Sequence, residues 1–280
     1  GTYQNWQGTP SPSAYNWFPD FAVGNTSGLG QAGLSITGVG DMISVAGEFR
    51  SVNNRQFEGI VRFSPNPPGG AKDGPRLSGA DWGAPSGQSI IPGRARIAIG
   101  ANWDRDDRDL TYALMRSGTA QPVATTTLAS GWWNLPQVHF DDVGLTPGST
   151  HTYTVVARDS NGNSVVSSPV SVTIADGEVP TYVDAVLNDS PDLYYPLGTV
   201  RADWGGSNAP VFGSGVTTTQ TSQVKGTTTG FSSFSGTMTG RVSTSSNTAP
   251  PGDFSAELWF STNTNRGGKL IGYGNSQTGS

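Results

Sequence analysis

The sequence lacks cysteine altogether and has only two histidines among its 280 residues. Without thiols the chain can form no disulfide and no thiolate metal site, and it has no cysteine nucleophile. No long apolar run occurs, so we expect no membrane insertion. Charged residues make up only 13% of the chain, and a net charge of −5 with scattered Lys and Arg argues against a nucleic-acid partner.

Glycine and proline are abundant instead, with 39 and 19 residues among many serines and threonines. This composition favours an all-β protein of short strands joined by turns, and the length permits two or three domains. Low charge with this polar composition is typical of bacterial exported proteins, which predicts a secreted or cell-surface location. The chain opens on GTYQNWQGTP without an initiator Met, so we expect it to belong to a longer precursor.

Residues 145–174 show the clearest strand signals. Tyr153, Val155 and Ala157 alternate with positions expected to be more exposed, which predicts a strand with one buried side, and the alternation resumes from Val170 to Ile174. Asn161 and Gly162 predict a type I′ hairpin, because both central positions of that turn need positive φ angles. A Pro-Gly pair within residues 145–148 precedes Tyr153 at the spacing of a tyrosine corner.

These residues resemble the last two strands of a fibronectin type III domain, and strand signals in residues 95–103 and 110–116 extend the resemblance over residues 72–176. It implies a sandwich of two antiparallel sheets. Tyr153 would be buried, with its hydroxyl bonded to the backbone of residues 145–148.

Residues 95–103 predict a strand of this domain with one buried face. Apolar side chains alternate from Ala95 to Trp103. We therefore expect Trp103 to close the core face, and Arg96 and Ala98 to face outward.

Residues 33–63 contain further short strands, with a hairpin predicted at Asn53-Asn54 because Asn tolerates the left-handed region. The string VAGEFRSVNNRQFEGIVRF resembles a blade of a bacterial β-propeller family, whose repeat reads about G-G-x-F-x-x-V-N-G-x-x-x-x-x-[IL]-A-R-F. Ala46 stands for the first Gly and Asn54 for the loop Gly. The resemblance implies that residues 1–65 are a terminal blade region, with further blades upstream, since a single blade buries its faces only against neighbours.

Residues 66–71 predict a Pro/Gly linker. Beyond it and the central domain, residues 177–280 resemble the N-terminal half of a laminin-G or concanavalin-like jelly roll. VLNDSPDLYYPLGT is similar to the family's V-L-x-D-x-P-x-x-Y-W-R-L-G-E, and FSAELW to its F-[TS]-x-E-x-W, with Tyr195 in the place of Trp. The resemblance implies strands in residues 252–260 and 267–274, and other polypeptide covering their apolar faces.

The Ser/Thr/Gly-rich residues 213–249 are open to two interpretations, polar-faced strands or a mobile arm.

Aromatic residues supply the candidate ligand site. Flat apolar faces suit the apolar faces of pyranose rings. Trp132 and Trp133 are adjacent, so within a strand at most one would enter the core, and the other would cap the sandwich edge or offer a stacking surface. The further candidates, which packing over a sheet would equally explain, are Tyr15, Trp17 and Phe18.

The acidic run in residues 104–109 is the nearest approach to a metal motif. Calcium loops of the D-x-D-x-D-G type carry a glycine at the sharp turn, and this run has none. Because Arg105 and Arg108 lie within it, we expect a solvated, neutralised turn, with no metal site and no cofactor.

Catalysis is not expected. Glu257 stands where jelly-roll glycosidases carry an acid, but Ser255 and Trp259 occupy the positions of a partner carboxylate, which glycoside hydrolysis requires. The sequence therefore predicts a non-catalytic segment for extracellular binding or adhesion, with glycan as the favoured partner. Two alternatives remain, a structural subunit of an extracellular assembly or surface layer and an accessory region of a polysaccharide-degrading enzyme.

Overall fold

The structure, a computed structural model, describes residues 8–10, 15–206, 208–221, 224–227, 229–246, 253–266 and 268–274. Strands account for 35% of the chain and helices for 5%, which confirms the all-β fold class. Within the described residues, neither short helix has the length or the apolar character that crossing a membrane requires.

The first 65 residues contribute six strands. They are β1 (Phe21–Val23), β2 (Gly33–Val39), β3 (Met42–Gly47), β4 (Phe49–Val52), β5 (Arg55–Gln56) and β6 (Ile60–Phe63). They form two antiparallel three-stranded sheets in the orders β1-β4-β5 and β2-β3-β6. Asn53 and Asn54 both have positive φ, at 51° and 62°, so the hairpin predicted there is confirmed.

A small apolar core joins these two sheets. Its buried residues are Val45, Phe49, Val52 and Val61, against which Phe21 and Phe63 pack. By contrast β2 is exposed along its whole length, and Ile60 of β6 is also exposed. The sheet β2-β3-β6 thus leaves apolar side chains uncovered by the described residues.

The central region carries one helical turn, α1 (Gly79–Trp82), and eight strands. The strands are β7 (Ser86–Gln88), β8 (Arg94–Gly100), β9 (Asp109–Arg116), β10 (Ala124–Ala129), β11 (Gln137–Val143), β12 (Thr150–Arg158), β13 (Ser164–Val166) and β14 (Val170–Thr173). One sheet has the order β11-β8-β7, and the other has the order β10-β9-β12-β13 with β14 also pairing with β12. Strands that follow one another along the chain are thus distributed over two sheets.

The hairpin between β12 and β13 is confirmed, but its predicted turn type is wrong. Gly162 has a φ of 88°, whereas Asn161 is not among the residues with positive φ, so the turn is not type I′. Asp159 anchors the loop instead, because its Oδ1 accepts the Asn163 N–H at 2.7 Å. Tyr153 is fully buried, as predicted. The bond of its hydroxyl to residues 145–148 stays a prediction.

The prediction that one face of β8 points outward is wrong. Arg96 and Ala98 are as buried as the apolar residues they alternate with. The Arg96 guanidinium donates to the carbonyl oxygens of Gly205 and Pro191, and it forms a 3.0 Å ion pair with Asp141 on β11. A later segment therefore covers this face, which alternation within β8 cannot reveal.

Residues 181–244 contain a helix and four short strands. They are α2 (Thr181–Asn188), β15 (Pro210–Phe212), β16 (Val216–Thr218), β17 (Ser232–Phe234) and β18 (Val242–Thr244). The strands form the two-stranded sheets β15-β18 and β16-β17, so residues 213–246 favour the strand interpretation where they are described. Val183 and Leu187, four positions apart on α2, bury against Ile91 and Trp204.

Strands predicted for residues 252–260 and 267–274 are absent from their described parts, residues 253–260 and 268–274; Gly252 and Gly267 lie outside the described residues. Phe254, Trp259 and Phe260 are exposed. A strand requires a partner for its backbone hydrogen bonds, and the alternation of residues 254–260 does not provide one.

The fold divides into two compact units, each built from several segments. One unit comprises residues up to Pro85, Ala101–Leu135 and Tyr153–Pro169. The other comprises Ser86–Gly100, Pro136–Thr152 and residues from Val170 onward. The predicted aromatic candidates and the acidic run all belong to the first unit.

Candidate functional site

Trp132 and Trp133 lie at the tip of a tight turn. Gly131 and Asn134 exchange backbone hydrogen bonds of 3.1 and 2.8 Å, which close the turn around the two indoles. Both side chains are largely accessible to solvent, with exposed fractions of 60% and 58%. The expectation that they alternate across a strand is wrong, because the Gly-Trp-Trp-Asn sequence forms the turn itself.

The Trp133 ring holds a fixed position at this tip. A Cβ atom at position 131 would meet ring atoms of Trp133 at about 2.9–3.1 Å, so the ring lies over Gly131 where only hydrogen fits. Trp132 meets Trp133 edge to face at 5.5 Å between ring centroids, and Phe18 meets Trp133 in the same way at 5.3 Å. Such edge-to-face contacts favour defined ring orientations.

The other two predicted aromatics lie apart from this group. Trp17 is half-buried and packs edge to face on Phe63 with centroids 4.8 Å apart, which is the packing role that the sequence left open. Tyr15 is 80% exposed. The structure thus brings together three of the five predicted residues, namely Phe18, Trp132 and Trp133.

An open cleft of about 400 Å³ adjoins the Trp132 indole. Its lining residues are Phe18, Pro19, Asp20, Trp103, Arg105 and Trp132. The guanidinium of Arg105 donates to Asp20 Oδ2 at 3.1 Å, and the Phe18 N–H donates to the Arg105 carbonyl oxygen at 2.8 Å. Aromatic walls and one ion pair therefore border the same cavity.

Asn102 holds the Trp103 side of the cleft. Its side-chain oxygen accepts the N–H groups of Leu77 at 3.0 Å and of Trp103 at 2.9 Å. Its carbonyl oxygen accepts the Ser130 hydroxyl at 2.6 Å, one residue before the tryptophan turn. Asn102 is fully buried, so this arrangement fixes both chain segments that flank the cleft.

Sequence reasoning missed three members of the site. Trp103 was assigned to the end of the core face, yet it is only half-buried and lines the cleft. Asp20 and Arg105 were not candidates, because their ion pair joins residues 85 positions apart. The tryptophan turn, by contrast, did have a signal in the sequence, because Gly131 and Asn134 flank the two tryptophans and both residue types favour turns.

The expected solvated turn at residues 104–109 is also corrected. Asp104 is fully buried and Arg105 nearly so, while Arg108 and Asp109 are exposed. Arg105 pairs with Asp20 at the cleft rather than neutralising the acidic run.

No family model matches the chain, and a comparison with curated proteins finds no match. Among solved structures, the chain is similar to the fibronectin type III protein FN3tt mut, with 14% identity over 33% of this chain and 93% of that one, at a TM-score of 0.21. It is also similar to the FN5 domain of Drosophila Lar, with 14% identity over 34% of this chain and 98% of that one, at a TM-score of 0.21.

Proposed function

We propose that this chain is a non-catalytic extracellular binding segment of a secreted or cell-surface bacterial protein, and that its ligand is a glycan. The observation that carries the proposal is the exposed Trp132-Trp133 turn beside the cleft that Phe18 and Trp103 line. A ligand can cover a solvent-exposed tryptophan without breaking contacts within the protein. Binding then buries apolar surface of the indole ring, which is favourable.

The chemistry of the cleft suits a sugar. A pyranose ring has an apolar face that can stack on an indole and a rim of hydroxyl groups that need hydrogen-bond partners. Trp132 supplies a stacking face, while the Asp20 carboxylate and the Arg105 guanidinium supply an acceptor and donors. A shallow, open cleft buries only part of a ligand, so we expect weak binding.

The proposal includes no catalysis by these residues. Glu257 Oε1 accepts a 2.6 Å hydrogen bond from the Trp259 indole, and the Tyr182 hydroxyl lies 3.4 Å away. Glycoside hydrolysis requires two carboxyl groups that flank one bond. Ser255 and Trp259 hold the positions from which a second carboxylate would come, so no turnover is expected.

The domain assignments of the flanking regions belong to the same proposal. Residues 1–65 would be a propeller blade region, supported by the blade-like sequence and by the antiparallel strands between Phe21 and Phe63. Residues 177–280 would be part of a laminin-G-like domain, supported by the sequence similarity alone.

Isothermal titration of the chain against a panel of bacterial and plant oligosaccharides tests the proposal. We expect weak, saturable binding heat with at least one glycan. Trp132→Ala should abolish that heat, whereas Trp259→Ala, which removes an exposed tryptophan elsewhere, should leave it unchanged. Binding heat that survives Trp132→Ala contradicts the site, and release of reducing sugar by the purified chain contradicts the non-catalytic assignment.

A second candidate function is a structural subunit of an extracellular assembly. The uncovered apolar side chains of β2 favour it, since Leu34, Ile36 and Val39 are 56%, 69% and 80% exposed. Another polypeptide on this sheet would bury them. Sedimentation equilibrium over a range of concentrations would show self-association that Ile36→Lys weakens, and a monomer at every concentration would argue against a homomeric assembly.

A further inference from the structure

Two distant acidic segments meet at one end of a sheet. Strands β9 and β12 are antiparallel neighbours, and Thr111 near the start of β9 pairs with Arg158 at the end of β12. The loop before β9 and the hairpin after β12 therefore lie at the same end of the sheet. This places Asp104 and Asp107 beside Asp159, although more than 50 residues separate them along the chain.

The three carboxylates converge closely. One oxygen of each of Asp104, Asp107 and Asp159 lies within 4.8 Å of the others. Two oxygens that bind one calcium ion at 2.3–2.6 Å can be at most about 5 Å apart, so this separation is compatible with a shared ion.

Asp104 indicates that a ligand is required here. Its side chain is fully buried, and its Oδ2 has no hydrogen-bond partner, while its Oδ1 accepts the Asp106 N–H at 3.2 Å. A buried carboxylate oxygen without a partner is costly, because it has lost its water and gained nothing in return. A cation would satisfy it.

No Lys, Arg or His side chain among the described residues supplies this positive charge. Among the described residues, no salt bridge reaches Asp104, Asp106, Asp107 or Asp159, and Arg105 is directed to Asp20. Asp106 Oδ1 is also buried without a partner.

The remaining hydrogen bonds orient the cluster. Asp107 Oδ1 accepts the Ser160 hydroxyl at 2.8 Å, and the two oxygens of Asp159 accept the backbone and side-chain N–H groups of Asn163 at 2.7 and 2.6 Å. Each carboxylate oxygen has two lone pairs, so these bonds leave one free for a metal. The donors belong to the β12–β13 hairpin, which explains how the two segments are held in register.

We propose that Asp104, Asp107 and Asp159 bind one calcium ion, with Asp106 beside them. Carboxylate-only ligands select a hard cation, and calcium accepts irregular oxygen sets, whereas magnesium demands near-ideal octahedral geometry. The missing glycine of a calcium loop does not argue against this site, because the ligands come from two segments rather than from one sharp turn.

Calcium titration of the EDTA-treated full chain tests the site. We expect binding of one equivalent, with a dissociation constant of about 0.1–1 mM or tighter, as in extracellular calcium modules, and a rise in melting temperature. Magnesium at the same concentration should raise it less. Terbium provides a separate readout, since Trp103 adjoins Asp104 and should sensitise its luminescence, which calcium should quench by competition.

Asp104→Asn should abolish calcium binding, the thermal shift and terbium luminescence, while Asp109→Asn, an exposed acid of the same run, should retain all three. Because the buried charge is unfavourable without metal, Asp104→Asn in EDTA should melt at the same temperature as the unaltered chain or above it. Asp107 is half-buried, and Asp107→Asn is a second variant from which we expect the same losses. No heat and no thermal shift at about 10 mM calcium, or an Asp104→Asn chain that melts lower in EDTA, would overturn the proposal.

Discussion

The phenol oxygen of Tyr112 makes two hydrogen bonds with the backbone of Asn102. It accepts the Asn102 N–H at 2.9 Å and donates to the Asn102 carbonyl oxygen at 3.1 Å. Both residues are fully buried, and burial raises the pKa of the phenol. Asn102 directly precedes Trp103 and Asp104, so this pair fixes the start of the loop that serves both the cleft and the acidic cluster.

Tyr112→Phe should lower the free energy of unfolding by about 1–3 kcal/mol, because it leaves a buried N–H and part of a carbonyl unsatisfied. Urea unfolding measures the change. Tyr15→Phe is the matched control, since that side chain is 80% exposed, and it should have little effect. Equal stability of the Tyr112→Phe chain would mean that the two bonds contribute nothing net.

Arg96→Met should destabilise the second unit by about 3–5 kcal/mol, since it leaves the Gly205 and Pro191 carbonyl oxygens and the half-buried Asp141 carboxylate without their donor. Limited proteolysis should then cut within residues 190–206, which the guanidinium ties to β8. The exposed Arg266→Met is the control and should unfold like the unaltered chain. Unchanged protease resistance in Arg96→Met would show that other contacts hold this segment.

Acidification should destabilise the fold through His139. Burial and the neighbouring Arg96 lower the pKa of His139, although Asp192 lies 3.2 Å from its Nε2. The other charged groups that face it are Asp203 and Asp141. A lowered pKa means that the unfolded chain takes up the proton first, at about pH 6.5, so this stability is present above that pH and is lost as the pH falls through it.

Urea midpoints between about pH 7.5 and pH 5 measure this effect. His139→Asn should flatten the dependence, and His151→Asn, which changes the chain's other histidine, should preserve it. A dependence that is the same in all three chains would assign it to the carboxylates instead.

Alternation and turn residues in the sequence predicted those strands and turns whose conformation is set by residues adjacent along the chain. Asn53-Asn54 was recognisable because few residues tolerate positive φ, and the alternation after Tyr153 was recognisable because one face of β12 is buried. The same rule failed at residues 254–260, where alternation is present but no partner strand is among the described residues.

Features that depend on contacts between distant segments could not be predicted in this way. The burial of Arg96 depends on acceptors at Gly205 and Pro191, about 100 positions away. The convergence of Asp104 with Asp159 depends on β9 pairing with β12. For the cleft, the sequence singled out Phe18 and Trp132, but it predicted neither the role of Trp103 nor the Asp20–Arg105 pair. It also did not predict the turn that exposes Trp132 and Trp133.

The central claim is that the tryptophan turn and its cleft contact a glycan. The indole N–H resonances of the eight tryptophans report it directly, in ¹H–¹⁵N spectra of the chain with and without the best glycan of the panel. We expect the signals of Trp132, Trp133 and Trp103 to shift, and those of Trp204 and Trp259, which belong to the other unit, to stay unchanged. Spectra in which no glycan moves the Trp132 and Trp133 signals would contradict the account.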